Sequence, residues 1–139
     1  MTKKFYLLFI FVLMTAFNGF GPYKDGRYRA TSRAQYTYEP YYGSSEIIIE
    51  NGRITKVVFF IRDSLKHEMV NENYEKYFAG NDLYIEQCRN DTRGIRSYPD
   101  SLIKYQKLDD VDAISGATWS YNIFMASARQ ALSQAEEEK

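Results

Sequence analysis

The stretch Glu46-Ile47-Ile48-Ile49-Glu50-Asn51-Gly52-Arg53-Ile54-Thr55-Lys56-Val57-Val58-Phe59-Phe60-Ile61 decides the fold. Two β-rich runs flank Asn51-Gly52, a pair whose residues both tolerate the positive φ of a type I′ turn, so the segment predicts a two-residue β-hairpin. Upstream, Asp25-Gly26 is a turn pair. Tyr28 to Tyr38 alternates loosely between Tyr or Ala and polar residues, as a strand with one solvated face does, until Pro40 and Gly43 interrupt it.

Downstream the pattern becomes helical. Asn71 to Phe78 predicts a short helix with Tyr74 and Phe78 on one side, and Asp82 to Gln87 fits a strand or a helix turn. Arg89-Asn90-Asp91-Thr92-Arg93-Gly94 reads as an exposed loop. Pro99 suits the first turn of a helix, with Ser97 as a cap and Leu102, Ile103 and Tyr105 as its apolar side before Gln106. From Trp119 to Gln134 good helix formers place Phe124, Ala128, Ala131, Leu132 and Ala135 on one face, and Glu136 to Lys139 reads as a solvated tail. The expected fold class is α+β: one small domain whose twisted, mainly antiparallel sheet packs with helices.

Composition narrows the function. The chain has 139 residues, with 18 basic and 18 acidic side chains and zero formal charge, so it carries no electrostatic footprint for nucleic acid. Its 13 Tyr and 9 Phe favour half-buried pleated surfaces. Lys3 and Lys4 followed by the apolar run Phe5 to Phe17 resemble a signal peptide, since the run is shorter than the ~20 residues needed to span a bilayer. Residues 1–21 are therefore expected to be a signal peptide or an uncleaved N-terminal anchor, with residues 22–139 as the exported domain. Without Lys3 and Lys4 the 18 basic residues fall to 16 against 18 acidic ones, and the mature domain is slightly acidic. Cys88 is the only cysteine, which excludes an internal disulfide, and it does not follow the apolar run as a lipoprotein would require. It reads as a small buried hydrophobe. His67, in Leu65-Lys66-His67-Glu68-Met69, lacks metal-site spacing and reads as a surface residue; no metal ligands are predicted.

The chemistry-bearing segment is Asp112-Ala113-Ile114-Ser115-Gly116-Ala117-Thr118, entering the last helix. A helix start offers unpaired N–H groups and partial positive charge that stabilise a phosphate, and Gly116 allows a close approach to the backbone. The residues alone leave two readings open. One is an anion site with hydroxyls aimed at it; the other is an ordinary N-cap by Ser115, Thr118 or Ser120.

These residues, with Ser120 two places on, resemble the flavinylation signature of the FMN-binding domain family, which includes the C subunit of the sodium-pumping NADH:quinone oxidoreductase and the G subunit of the Rnf complex. Lys24-Asp25-Gly26 with Tyr28, the Glu46 to Val58 hairpin, and the run from Leu102 to Asp112 resemble the family as well. The resemblance implies FMN held covalently through a phosphoester on Thr118, with Asp112, Ser115, Gly116 and Ala117 as the recognition segment. It also implies a flavin transferase that forms the bond from FAD with a divalent metal. Trp119 and Tyr121 are bulkier than the residues often found there and, with the strand tyrosines, are candidates to flank the flavin ring. The implied role is an electron-transfer flavoprotein rather than a stand-alone enzyme, without catalytic residues of its own. It would work in the periplasm or on the outer face of the cytoplasmic membrane with redox partner proteins, such as a membrane respiratory complex. The competing expectations are a module binding FMN or another phosphorylated ligand non-covalently, and a cofactor-free interaction domain.

Overall fold

A computed structural model describes residues 21–34 and 38–136. The expected signal or anchor segment lies outside the described residues save for Gly21. No helix among the described residues is long and apolar enough to cross a membrane.

The sheet is an antiparallel meander of β1 (Gly26–Ser32), β2 (Tyr41–Glu50), β3 (Arg53–Asp63) and the short β4 (Glu68–Met69), in that spatial order. The predicted hairpin is its centre. Glu50 pairs with Arg53 across Asn51 and Gly52, whose φ values of 53° and 72° are those of a type I′ turn. The Asp25 carboxylate accepts the N–H groups of both turn residues at 2.8 Å, so the upstream Asp-Gly pair closes the hairpin from outside. Register slips between Ile48 and Ile49: Ile48 pairs with Lys56 and Ile49 with Ile54, leaving Thr55 as the bulged residue. The slip brings Ile54 back into phase with Val57, Phe59, Ile61 and Asp63 on the buried face, opposite Ser45, Ile47 and Ile49 of β2. The predicted first strand ends at Ser32, and its expected continuation runs into residues 35–37, outside the described set.

A 3-10 helix, Glu72–Phe78, follows β4 where the short helix was expected, capped by the Asn71 side chain. The next segment corrects the sequence reading. Asp82–Tyr105 is one continuous helix, α1, in which Asp91, Thr92 and Gly94 are buried and Pro99 is internal. Neither the loop at Arg89 to Gly94 nor the fresh helix start at Ser97-Pro99 exists. Gly94 is a packing choice, because a Cβ there would meet Ser120 Oγ and Tyr98 Cε2 at 2.8 Å and Ala117 Cβ at 3.0 Å. Pro99 withdraws only the N–H that Ile95 would have accepted, and burial of Tyr98, Pro99 and Leu102 outweighs that loss. Tyr105, expected on the apolar side, is exposed. Gln106 ends α1 in the left-handed region (φ 61°), and its amide pairs with both the N–H (2.8 Å) and the C=O (2.9 Å) of Ile54.

The last helix, α2, spans Thr118–Ser133, and all five predicted core residues are buried, Ala135 just beyond its end. Both helices lie on one face of the sheet, α2 over β1 and β2 and α1 over β3. At Gly43 the approach of α2 is so close that a Cβ would lie 2.4 Å from Ile123 Cγ2. Phe124 fills the junction, edge-on to Phe59 and stacked on Tyr98. Ser45 and Ser127 satisfy one another at 2.6 Å inside this layer. Glu136, expected in the tail, instead bridges to Tyr23.

Candidate functional site

The segment Asp112 to Thr118 runs from a short 3-10 turn (Leu108–Asp110) into α2. Asp112, Ser115, Gly116 and Thr118 are exposed, whereas Ala117 is buried and occupies the N-cap position. Gly116 has φ +79°, a conformation that penalises other residues, and a Cβ on it would lie 2.7 Å from Asn90 Nδ2. The tight turn is closed by Ala117 N–H donating to Ile114 C=O at 2.9 Å.

None of the predicted hydroxyls serves as N-cap by bonding the helix start. That role falls to Asp91, buried on α1, whose Oδ1 accepts the Ser120 N–H (3.0 Å) and hydroxyl (2.9 Å). Its Oδ2 accepts Gln87 Nε2 at 2.7 Å, and the same amide nitrogen donates to Gly116 C=O at 2.9 Å. Tyr98 supports the loop from within. Its hydroxyl accepts the Ile114 N–H (3.1 Å) and donates to Ala117 C=O (2.8 Å). Ser120 is thus fully buried and committed to the scaffold, while Thr118, in the first position of α2, is exposed. Thr118 and Trp119 take no backbone partner for their N–H groups from the described residues. A phosphate fits this donor set: two free helix-start amides, partial positive charge and an exposed hydroxyl.

Beside the helix start lies a cleft of about 280 Å³ walled by Tyr41, Tyr74, Phe78, Tyr84 and Trp119, with Gln87, Cys88 and Asp91 also on its lining. Trp119 and Asp91 link it to the phosphate seat. Trp119 is oriented by its indole N–H, which donates to Glu39 at 2.8 Å, and by an edge-on contact with Tyr41 at 5.0 Å. Tyr41 and Tyr74 share a hydrogen bond of 3.0 Å, and Tyr74 in turn donates to Asp63, which is buried at the end of β3. Burial raises the ionisation of Tyr41 and Tyr74 above that of an ordinary phenol, so both are neutral donors at neutral pH. Burial likewise pushes the Cys88 thiol up, as befits a packed side chain. An aromatic slot adjoining a phosphate seat fits a planar ring linked to a phosphate.

Two larger openings, of about 560 and 570 Å³, lie elsewhere, and one of about 380 Å³ adjoins the cleft at Tyr84, Gln87 and Asn90. The first is lined by charged side chains including the paired Arg89 and Glu75, and the second lies around Tyr23, Leu108 and Leu132; neither touches the signature residues. Tyr121, a candidate to flank a ring, packs on Tyr98 and donates to Val111 C=O at 2.8 Å. His67 is exposed at a turn, and no group of three metal-ligating side chains occurs among the described residues. Asp91, Gln87, Tyr98 and the Tyr41–Tyr74 pair were not singled out from sequence; the spacing Cys88, Asp91, Ile95, Tyr98, Leu102 is the helical signal that would have found the first three with their helix.

A family model described as FMN-binding domain matches residues 44–133, from β2 to the end of α2. Among solved structures, the chain resembles the CPE2226 protein from Clostridium perfringens at a TM-score of 0.62 and 22% identity, over 81% of this chain and 88% of that one. That likeness shows a shared fold. No curated protein matches the chain.

Proposed function

Because the chain belongs to the FMN-binding domain family, we propose that it is an exported carrier holding FMN through a phosphoester on Thr118 and relaying electrons between redox partners. The observation that carries this reading is the Thr118 hydroxyl, exposed at the first position of α2 beside two free helix-start N–H groups and an aromatic cleft. Attachment requires a separate flavin transferase. The Thr118 oxygen forms the new bond to phosphorus, the pyrophosphate bond of FAD breaks, AMP leaves, and the hydroxyl proton passes to a base. Asp112, exposed six residues before Thr118, is free to help orient the hydroxyl or the transferase metal. Bound FMN supplies reversible electron uptake.

The chain's own residues do the positioning. Asp91, Gln87 and Tyr98 hold the turn so that Thr118 projects outward, and Gly116 and Ala117 leave it free of side-chain bulk. Trp119 and Tyr41 offer flat walls to a ring. The apolar N-terminal run supports export.

Co-expression with an active flavin transferase tests the proposal. A band fluorescent under ultraviolet light on a denaturing gel is expected, and Thr118→Val abolishes it. A missing band, with the transferase verified on another acceptor, or flavin that leaves on denaturation, overturns the covalent reading.

A further inference from the structure

The cleft's polar groups have their protons already committed, and the direction of each bond can be assigned. Asp63 is buried; burial alone would raise its carboxyl, but bonds from the Tyr74 hydroxyl and the Lys66 and Leu65 N–H groups outweigh that and hold it below the usual range. It is therefore acceptor-only. The Tyr74 proton consequently points to Asp63, and the 3.0 Å Tyr41–Tyr74 bond must use the Tyr41 proton. What Tyr41 has left is oxygen lone pairs.

The same accounting applies to the other groups. Gln87 has its nitrogen between two acceptors, Asp91 Oδ2 and Gly116 C=O, which fixes the amide orientation and spends both N–H bonds. The Trp119 N–H is spent on Glu39. Among the strong donors lining the cleft, the hydroxyl of the exposed Tyr84 alone has no partner among the described residues. Apart from the Tyr84 hydroxyl, the cleft has apolar walls and polar groups whose protons are spent, so that they accept.

Resting on the proposed FMN site, we infer that this cleft takes the imide N–H edge of the flavin ring, with the Tyr41 oxygen as the accepting atom and Tyr74 and Asp63 as the residues that set its polarity. The alternatives fit less well. A phosphate, or the unprotonated bridge nitrogen of the oxidised ring, would set an acceptor against the Tyr41 oxygen. The dimethylbenzene edge would cover the Tyr41 and Gln87 oxygens without giving them a partner, which burial penalises. The imide N–H is a donor in both redox states and satisfies one of them.

The test uses the full-length chain loaded with ¹⁵N-labelled FMN by the transferase, with the adduct first verified by intact mass. Exchange of the imide proton with water is then measured by NMR. Slowing by at least about tenfold relative to free FMN is expected, the scale of one additional hydrogen bond. Tyr41→Phe keeps the ring against Trp119 and the Tyr74–Asp63 bond, and should bring exchange close to the free rate. Tyr74→Phe leaves the Tyr41 oxygen in place but frees its proton, and should give an intermediate rate. An imide proton exchanging as fast as in free FMN, or a rate unmoved by Tyr41→Phe, overturns the inference while leaving the Thr118 adduct intact. A Tyr74→Phe rate equal to wild type removes the polarity argument. No adduct would refute the underlying reading and this inference with it.

Discussion

Asp91→Asn tests the scaffold beneath the site. In the wild type one carboxylate oxygen takes the Ser120 N–H and hydroxyl while the other takes Gln87. An asparagine can keep its oxygen on Ser120, but its NH₂ then faces the Gln87 nitrogen, donor against donor. Charge-assisted hydrogen bonds are about twice as strong as neutral ones, so weakening the Ser120 pair costs about 1 kcal/mol. Loss of the Gln87 bond costs about 1 kcal/mol more, and the poorer complement to the α2 dipole a few tenths. Easier burial of a neutral amide returns part of this, giving a net loss of about 2 kcal/mol. With an m-value of about 2 kcal/mol/M, the urea midpoint should fall by about 1 M with m unchanged. Asp91→Ala should fall further, because it leaves the Ser120 N–H without a partner. An Asp91→Asn midpoint within about 0.2 M of wild type would refute the claim that α2 is capped from α1.

Two further predictions concern neighbouring parts of the fold. Despite burial, hydrogen bonds from Tyr74, Lys66 and Leu65 hold the folded-state carboxyl of Asp63 below the ordinary aspartate range, so its stabilisation is present above that range and is lost as pH falls through the lower folded value; Asp63→Asn should flatten the drop in urea midpoint between pH 7 and pH 3, and an equal drop in both proteins would contradict it. Gly116→Ala must hold an alanine at φ +79° and displace Asn90, so it should lose about 1–2 kcal/mol in urea unfolding and slow flavin loading; unchanged stability would show that the turn relaxes freely.

What could be read in the sequence follows from how local each determinant is. The hairpin is specified by its two turn residues and adjacent β-branched runs. The period of α2 is unbroken, which also makes its buried face legible, although the small buried residues Ser120 and Ser127 add to it. In α1 a comparable period is hidden by Gly94 and Pro99, residues that mark loops and helix starts when no partner is visible. Gly94 is required by close packing against α2, a contact made only when distant segments meet. The site divides in the same way. Thr118 and its flanking Gly116-Ala117 lie in one motif, so the sequence alone singles them out as candidates. Asp91 reaches Ser120 across 29 positions, and Tyr41 reaches Tyr74 across 33, so no local pattern announces them.

Mass spectrometry of the protein purified from its own host tests the central claim most directly. Peptide fragmentation should place one FMN phosphoester on Thr118, with exposed Ser115 and buried Ser120 unmodified. An unmodified Thr118, or FMN carried on another residue, would contradict the account.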